Sequence, residues 1–227
     1  MKKERIEDGR MEGESVLLTR ANPVQKRARE KQESILNSAR ELILKVGPDR
    51  FTLQEIADYI GSPIGTIYRY YSGKPAILRA IAQSHLEGLR SDLQNELAQY
   101  REKNPDEIQF QRVIKKILEL FEKAYSSDPV FQIVWSGSQA YPALRELDLE
   151  DTKRNAEIIV SSIECFVPRM KKQRLMELCV LICDSIGSAL RLTSMMDEKE
   201  KRGVLSQLRG MITNHLYIAY KTFGPEE

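Results

Sequence analysis

At 227 residues and 26.1 kDa, with 41% hydrophobic and 30% charged residues, the chain has the composition of a globular protein and can bury one sizeable core, or a large and a small one. Apolar runs such as "CVLIC" at 179–183 and "LYIAY" at 216–220 fall far short of the ~20 residues a membrane-spanning helix needs. The first fifteen residues alternate charges and hold no apolar secretory segment, so a cytoplasmic address is expected. Cys165, Cys179 and Cys183 form no framework spacing, which fits reduced thiols in a reducing compartment.

The net charge of +2 is unevenly spread: residues 1–80 hold 15 Lys and Arg against 11 Asp and Glu, the remainder 20 against 22. The sharpest basic cluster is "QKRAREK" at 25–31. It reads either as a solvated helix start or as a short arm laid against phosphates. Residues 1–26 are expected to be a mobile tail, followed by a small unit over 27–80 and a larger one over 81–224.

In chain order, Ile35, Leu36, Ala39, Leu42, Ile43 and Val46 recur at helical spacing and predict a first helix that stops at Gly47-Pro48. Thr52 precedes "LQEIADYI" with Glu55 three residues on, a capping box that opens a second helix with Ile56, Ala57 and Ile60 facing inward. Gly61 closes it. Ser62 and Pro63 are expected as N-cap and first position of a third helix, which runs to Tyr71 and stops at Ser72-Gly73. A long amphipathic segment follows from Pro75 to about Tyr100, with further helix starts at Asn104-Pro105-Asp106, Asp128-Pro129 and Tyr141-Pro142, and a break at Pro168.

The last two helices are expected over about 169–196 and 199–222. In the first of them Leu175, Leu178, Cys179, Ile182, Ile186, Ala189 and Thr193 form one stripe, and Val180, Cys183, Gly187 and Arg191 a second. A helix apolar on two faces needs two partners, one of which can be a second chain. No stretch alternates with a period of two, so the fold class is all-α.

Between the second and third helices, Ala57, Gly61 and Ile67 supply a small residue at a close crossing, a glycine able to take φ > 0, and an apolar anchor. Those are the steric demands of a helix-turn-helix, whose second helix enters the major groove. On a helical wheel Ile64, Ile67 and Tyr71 face inward; Gly65 and Arg69 point outward, flanked by Thr66 and Tyr68. Arg69 can donate two hydrogen bonds to guanine, and Gly65 lets the backbone approach DNA closely. Thr66, Tyr68 and Tyr70 place hydroxyls where phosphates would lie, with Lys74 just beyond.

The run "FTLQEIADYIGSPIGTIYRYYSGKPAIL", preceded by "ILNSARELILKVG", resembles the DNA-binding headpiece of TetR-family (tetracycline-repressor-like) transcriptional regulators over about residues 30–80. The family's glycine, small residue, threonine, aliphatic, tyrosine and later aromatic stand here as Gly61, Gly65, Thr66, Ile67, Tyr68 and Tyr71. The resemblance implies phosphate or base contacts for Thr52, Gln54, Thr66, Tyr68, Tyr70 and Lys74, and with Ser62, Gly65 and Arg69 these make up the candidate DNA-binding set. Gly73-Lys74-Pro75 departs from the commoner asparagine or serine, lysine, acidic residue, and the tail before the first helix is long.

The resemblance further implies a homodimer joined through the last two helices, bound to a palindromic double-stranded operator and most often a repressor released by a small ligand. Composition alone nominates Phe131, Trp135, Tyr141, Met195 and Met196 to line a site for a small apolar or amphipathic molecule. The alternative is the same fold acting as an architectural or protein-regulated DNA-binding dimer with no small-molecule effector. No cofactor is called for: Cys179 and Cys183 stand four apart on one helix without a third metal ligand, His85 and His215 stand alone, and no nucleophile or phosphate-loop motif suggests an enzyme.

Overall fold

The computed structural model describes residues 23–100, 106–137 and 141–225. The elements are α1 (Pro23–Val46), α2 (Leu53–Tyr59), α3 (Ile64–Tyr70), α4 (Lys74–Ala98), α5 (Glu107–Ser127), α6 (Pro129–Ser136), α7 (Pro142–Ile163), α8 (Lys172–Thr193) and α9 (Glu198–Phe223), with a short 3-10 turn at Glu164–Phe166. Among the described residues there is no strand, in accord with the all-α expectation. The Thr52 capping box forms, and Asp106, Asp128 and Asp197 cap α5, α6 and α9 through their carboxylates. Such caps satisfy amide donors that would otherwise be left open at the helix start.

Residues 1–22 of the expected tail lie outside the described residues. The remainder of that span is already helical, because α1 begins at Pro23. The basic cluster at 25–31 is therefore the start of a helix, where Lys26 pairs with Glu30 and Arg29 with Glu33. The third helix starts one residue later than the sequence suggests: Pro63 is the N-cap, and the Ser62 hydroxyl accepts a hydrogen bond from Lys31 Nζ at 2.7 Å in place of capping.

Helix α4 packs against α1 and also against α5, α6 and α7, while α7 meets α8 and α9 meets both α5 and α8. The buried apolar side chains form one continuous cluster, from Ile35, Ala39 and Ile67 through Ile81 and Leu93 to Leu205 and Leu216. The first stripe of α8 is inward as expected: Leu175, Cys179, Ile182, Ile186 and Thr193 are buried. The second is inward too, which the sequence reading did not anticipate. Cys183 is buried and Arg191 pairs with Asp148 of α7 at 3.2 Å, so this stripe serves α7 rather than a second chain. The outward side of α8 carries Leu181, Ser188, Leu192 and, just past its end, Met195.

Two further expectations need correction. Val46 is 42% and Ile64 36% exposed; each sits at the end of its helix, where the core no longer covers a full turn. Gly61 has φ 57°, the left-handed value that lets α2 stop and the chain turn into α3. A Cβ there would meet nothing within 4 Å, so only the backbone term opposes a side chain. Gly61→Ala is expected to cost about 1–2 kcal/mol in denaturant unfolding, and Gly61→Asn less. Equal stability of Gly61→Ala and the parent would show that the turn does not depend on this conformation.

Candidate nucleic-acid interface and buried cavity

The α2–α3 unit is set by a small number of contacts. Ala57 and Ile67 are fully buried; Ser62 N donates to Ala57 O at 2.9 Å and Gly61 N to Asp58 O at 3.2 Å, closing the end of α2. With Ile67 pinned inward, helical geometry turns Gly65, Tyr68 and Arg69 outward, and all three are exposed. A Cβ on Gly65 would meet nothing and its φ is not positive, so neither packing nor backbone requires glycine there. The space it leaves lies on the outer side.

Arg69 does not swing freely. Its Nη2 donates to the Tyr70 hydroxyl at 3.3 Å and its guanidinium lies 5.0 Å from the centre of the Tyr70 ring, while that ring packs on the core. A long side chain held this way loses less rotamer freedom when it docks. Thr66 is half-buried beside this group.

Other members of the candidate set are engaged within the protein. The Thr52 hydroxyl accepts from Glu55 N at 3.2 Å and donates to Glu55 Oε2 at 2.9 Å. Gln54 donates to Asp58 at 2.7 Å. Lys74 Nζ donates to the Asp49 carbonyl at 2.7 Å and lies 4.7 Å from the Phe51 ring centre. These bonds sit at the surface, where a hydrogen bond contributes a net ~0.5–1.5 kcal/mol, so exchanging one for a charged phosphate is not prohibitive. Lys31, which holds Ser62, belongs to the same surface; a lone lysine in a charged helix start gave no signal of that role.

A small cavity of about 40 Å³ lies among α4–α8, and of the five nominated residues Phe131 and Trp135 line it. Both are buried and stacked, with ring centres 5.3 Å apart. The other nominated residues do not line it. Met195 is 80% exposed beyond α8, and Met196 follows it on the same turn. The Tyr141 hydroxyl donates to Asp49 in the loop after α1, a bond that pushes its pKa up to about 12. Tyr141 thereby ties the start of α7 to the N-terminal helices.

The sequence reading missed the polar wall. His85, Tyr125 and Asn155 line the cavity, and His85 Nε2, the Tyr125 hydroxyl and Asn155 Oδ1 are buried without a hydrogen-bond partner. Such atoms are rare in folded proteins unless water or a ligand meets them. The only available signal was that a histidine, a tyrosine and an asparagine interrupt apolar stripes. Beside them Asp151 accepts from Arg90 at 2.5 Å and from Asn155 Nδ2 at 2.6 Å; burial nevertheless raises the Asp151 carboxyl above its ordinary range. Burial also pushes the Cys179 thiol up to about 12 and raises Cys183 well above its ordinary range, so both are inert protonated thiols. Among the described residues no three His, Cys, Asp or Glu side chains gather as a metal site.

The Arg90–Asp151 pair carries its own test. Arg90→Met leaves a carboxylate buried without its cation and should cost about 3 kcal/mol in urea unfolding. Adding Asp151→Leu should recover most of that loss. A double variant as unstable as the single would place the cost in packing.

Comparisons with known proteins agree with this geometry. The description "Bacterial regulatory proteins, tetR family" matches residues 35–81 and "Tetracyclin repressor-like, C-terminal domain" matches residues 109–220. A search of curated protein sequences returns no significant match. Among solved structures, a TetR-family transcriptional regulator from Streptomyces coelicolor is 16% identical, with a TM-score of 0.56 over 83% of this chain and 99% of its own. The regulator FadR from Bacillus subtilis, in complex with stearoyl-CoA, is 19% identical, with a TM-score of 0.58 over 80% and 97%. RolR, in complex with resorcinol, is 16% identical, with a TM-score of 0.55 over 89% and 98%. At such identities the structures speak for the fold alone, and the family matches carry the assignment. With a helix-turn-helix whose recognition helix faces outward and both family regions in place, the chain belongs to the TetR family of DNA-binding transcriptional regulators and is not an enzyme.

Proposed function

We propose that the protein is a cytoplasmic, homodimeric, sequence-specific regulator that binds a palindromic operator as a repressor and is released from it by a small apolar or amphipathic ligand. The observation that carries this reading is the outer face of α3, where Gly65 leaves room and Tyr68 and Arg69 stand exposed, Arg69 braced on Tyr70. Residues up to about 80 form the DNA-binding unit in this reading and those from 81 to 224 the ligand-binding and dimerising unit. Arg69 reads a base edge; Thr66, Tyr68, Tyr70 and Lys74 meet the backbone, with Thr52, Gln54 and Ser62 at the start of α2 and of the turn.

The dimer surface is the outward side of α8 with that of α9. Leu181 is 63% exposed and Leu192 49%, with Ser185 and Ser188 between them, and Met211 and Ile218 are exposed on α9. Large apolar groups interleaved with small ones on two neighbouring helices let a second pair approach closely, as in a four-helix bundle. Two heads related by a two-fold axis then meet half-sites about one helical turn, ~34 Å, or a multiple apart.

A regulator controlled by another protein is the second reading, and the small volume of the cavity, about 40 Å³, favours it. The unpartnered polar atoms in that cavity's wall weigh toward a ligand, as do neighbours in complex with stearoyl-CoA and resorcinol. Selection from random DNA should enrich sites with dyad symmetry; no enrichment would remove the sequence-specific reading. On such a site Arg69→Ala is expected to lose about 1–3 kcal/mol at one base position and to relax preference there. A uniform loss across all sequences would make Arg69 a phosphate contact. Leu181→Glu combined with Leu192→Glu should yield a monomer in sedimentation, and a dimer that survives both would move the interface elsewhere.

A further inference from the structure

A groove of about 540 Å³ runs between α1, α4 and the end of α5, and it shares His85, Leu89 and Ala124 with the wall of the smaller cavity. His85, its side chain only 13% exposed, thus stands with Leu89 and Ala124 between the groove and the cavity. Its ring stacks on Phe131 with centres 4.0 Å apart, and Phe131 stacks on Trp135. The cavity has room for about three or four waters, at ~10–15 Å³ each, and an aromatic ring needs something nearer ~150 Å³. The groove has that volume, and the ring of His85 stands in the way.

The wall states what chemistry would fit. Burial keeps His85 below its ordinary pKa, against the opposing pull of Asp128, so the imidazole is neutral. Nδ1 faces the Asp128 carboxylate at 3.6 Å, which favours the ring proton on that nitrogen and leaves Nε2 a bare acceptor. Asn155 gives its amide hydrogen to Asp151, leaving Oδ1 as a second acceptor, and the Tyr125 hydroxyl is unpartnered. The charged groups are already paired, Asp151 with Arg90 and Asp148 with Arg191. A free anion or cation finds no counter-charge here; a neutral ring carrying an O–H or N–H donor finds both stacking faces and acceptors.

The same histidine touches the joint between the N-terminal helices and the remainder. His85 Nδ1 is 3.6 Å from Asp128 Oδ2. Asp128 caps α6 through Val130 N at 2.9 Å and Phe131 N at 3.2 Å, and it accepts a hydrogen bond from Arg40 of α1. Burial opposes ionisation of Asp128, but the bonds from Arg40 and from Phe131 N outweigh it and hold the carboxyl below its ordinary pKa. Open space beside the ring lies toward the groove, which Arg40 and Asp128 also line. An imidazole displaced there competes with Arg40 for the carboxylate.

We propose that His85 is both gate and relay of the effector site: a neutral aromatic molecule bearing a hydroxyl or amino donor enters from the groove, turns His85 off Phe131, and thereby loosens the Arg40–Asp128 tie between α1 and α6. This rests on the ligand-released reading above, but its binding half can be measured without DNA. Trp135 is the chain's single tryptophan and stands in the cavity wall, so its fluorescence reports occupancy directly.

The test titrates the full-length protein with phenol, aniline, toluene and benzoate while following Trp135 emission. Phenol and aniline should give saturable changes, toluene should bind about tenfold more weakly for want of a donor, and benzoate should give none. His85→Phe keeps a stacking ring and removes one of the two acceptors, so it should reduce the preference for phenol over toluene; His85→Gln, which keeps an acceptor, should retain it. No saturable change with any probe, equal affinity for phenol and toluene, or an unchanged preference in His85→Phe would each overturn the gate.

For the relay, Asp128→Asn keeps a capping side chain but removes the charge. It should bind phenol as the parent does while phenol no longer changes affinity for the selected DNA site. A parent that binds phenol with no effect on DNA affinity would sink the release reading and the relay while leaving the gate. A full phenol effect in Asp128→Asn would overturn the relay alone.

Discussion

Helix α4 is a shared wall, and the architecture depends on it. Its buried residues, Ile77, Leu78, Ile81, Ala82, Leu86, Leu89, Leu93 and Leu97, begin beside the N-terminal helices and continue among α5, α6 and α7. Each large side chain contributes about 1.5–3 kcal/mol by being buried. Pulling two out of register would therefore exceed the ~1–3 kcal/mol that typically couples two sites. The helix is consequently held to move as a body, and a shift at its middle reaches Lys74 and α3 at its start.

The ties across this wall are polar. Arg79 of α4 donates to the Ala143 carbonyl at 2.7 Å, Tyr141 bonds Asp49, and Arg40 reaches Asp128. Apolar packing resists separation but is indifferent to small sliding, whereas a hydrogen bond made by a partly buried charge depends steeply on distance and angle. The apolar core thus holds the N-terminal helices on, and these few bonds fix their angle.

The outer face of α3 and the cavity are built on opposite principles. On α3 Gly65 leaves space and the one guanidinium lies against the Tyr70 ring. In the cavity, by contrast, the rings are packed tightly while buried acceptors go unmet. Those polar atoms find no partner within the protein and are left to whatever fills the cavity, water or ligand.

Much of this was legible along the chain. The capping box at Thr52, the proline-marked starts of α6 and α7, and the spacing of Ala57, Gly61 and Ile67 are local signals, because helix caps and a tight turn are decided within four or five residues of backbone. The inward side of α3 followed from the same periodicity, apart from Ile64 at its exposed first turn. Tertiary structure alone decided which of three faces of α8 stays open, since the stripe through Cys183 and Arg191 is claimed by α7 only once Asp148 comes opposite. It also decided that Tyr141 is a tie while Phe131 and Trp135 are cavity wall, and it brought His85, Tyr125 and Asn155 together from three helices. A polar residue in an apolar stripe carries no mark of what it will face; its partners lie tens of residues away, and the packing of other helices determines whether its lone pairs are met.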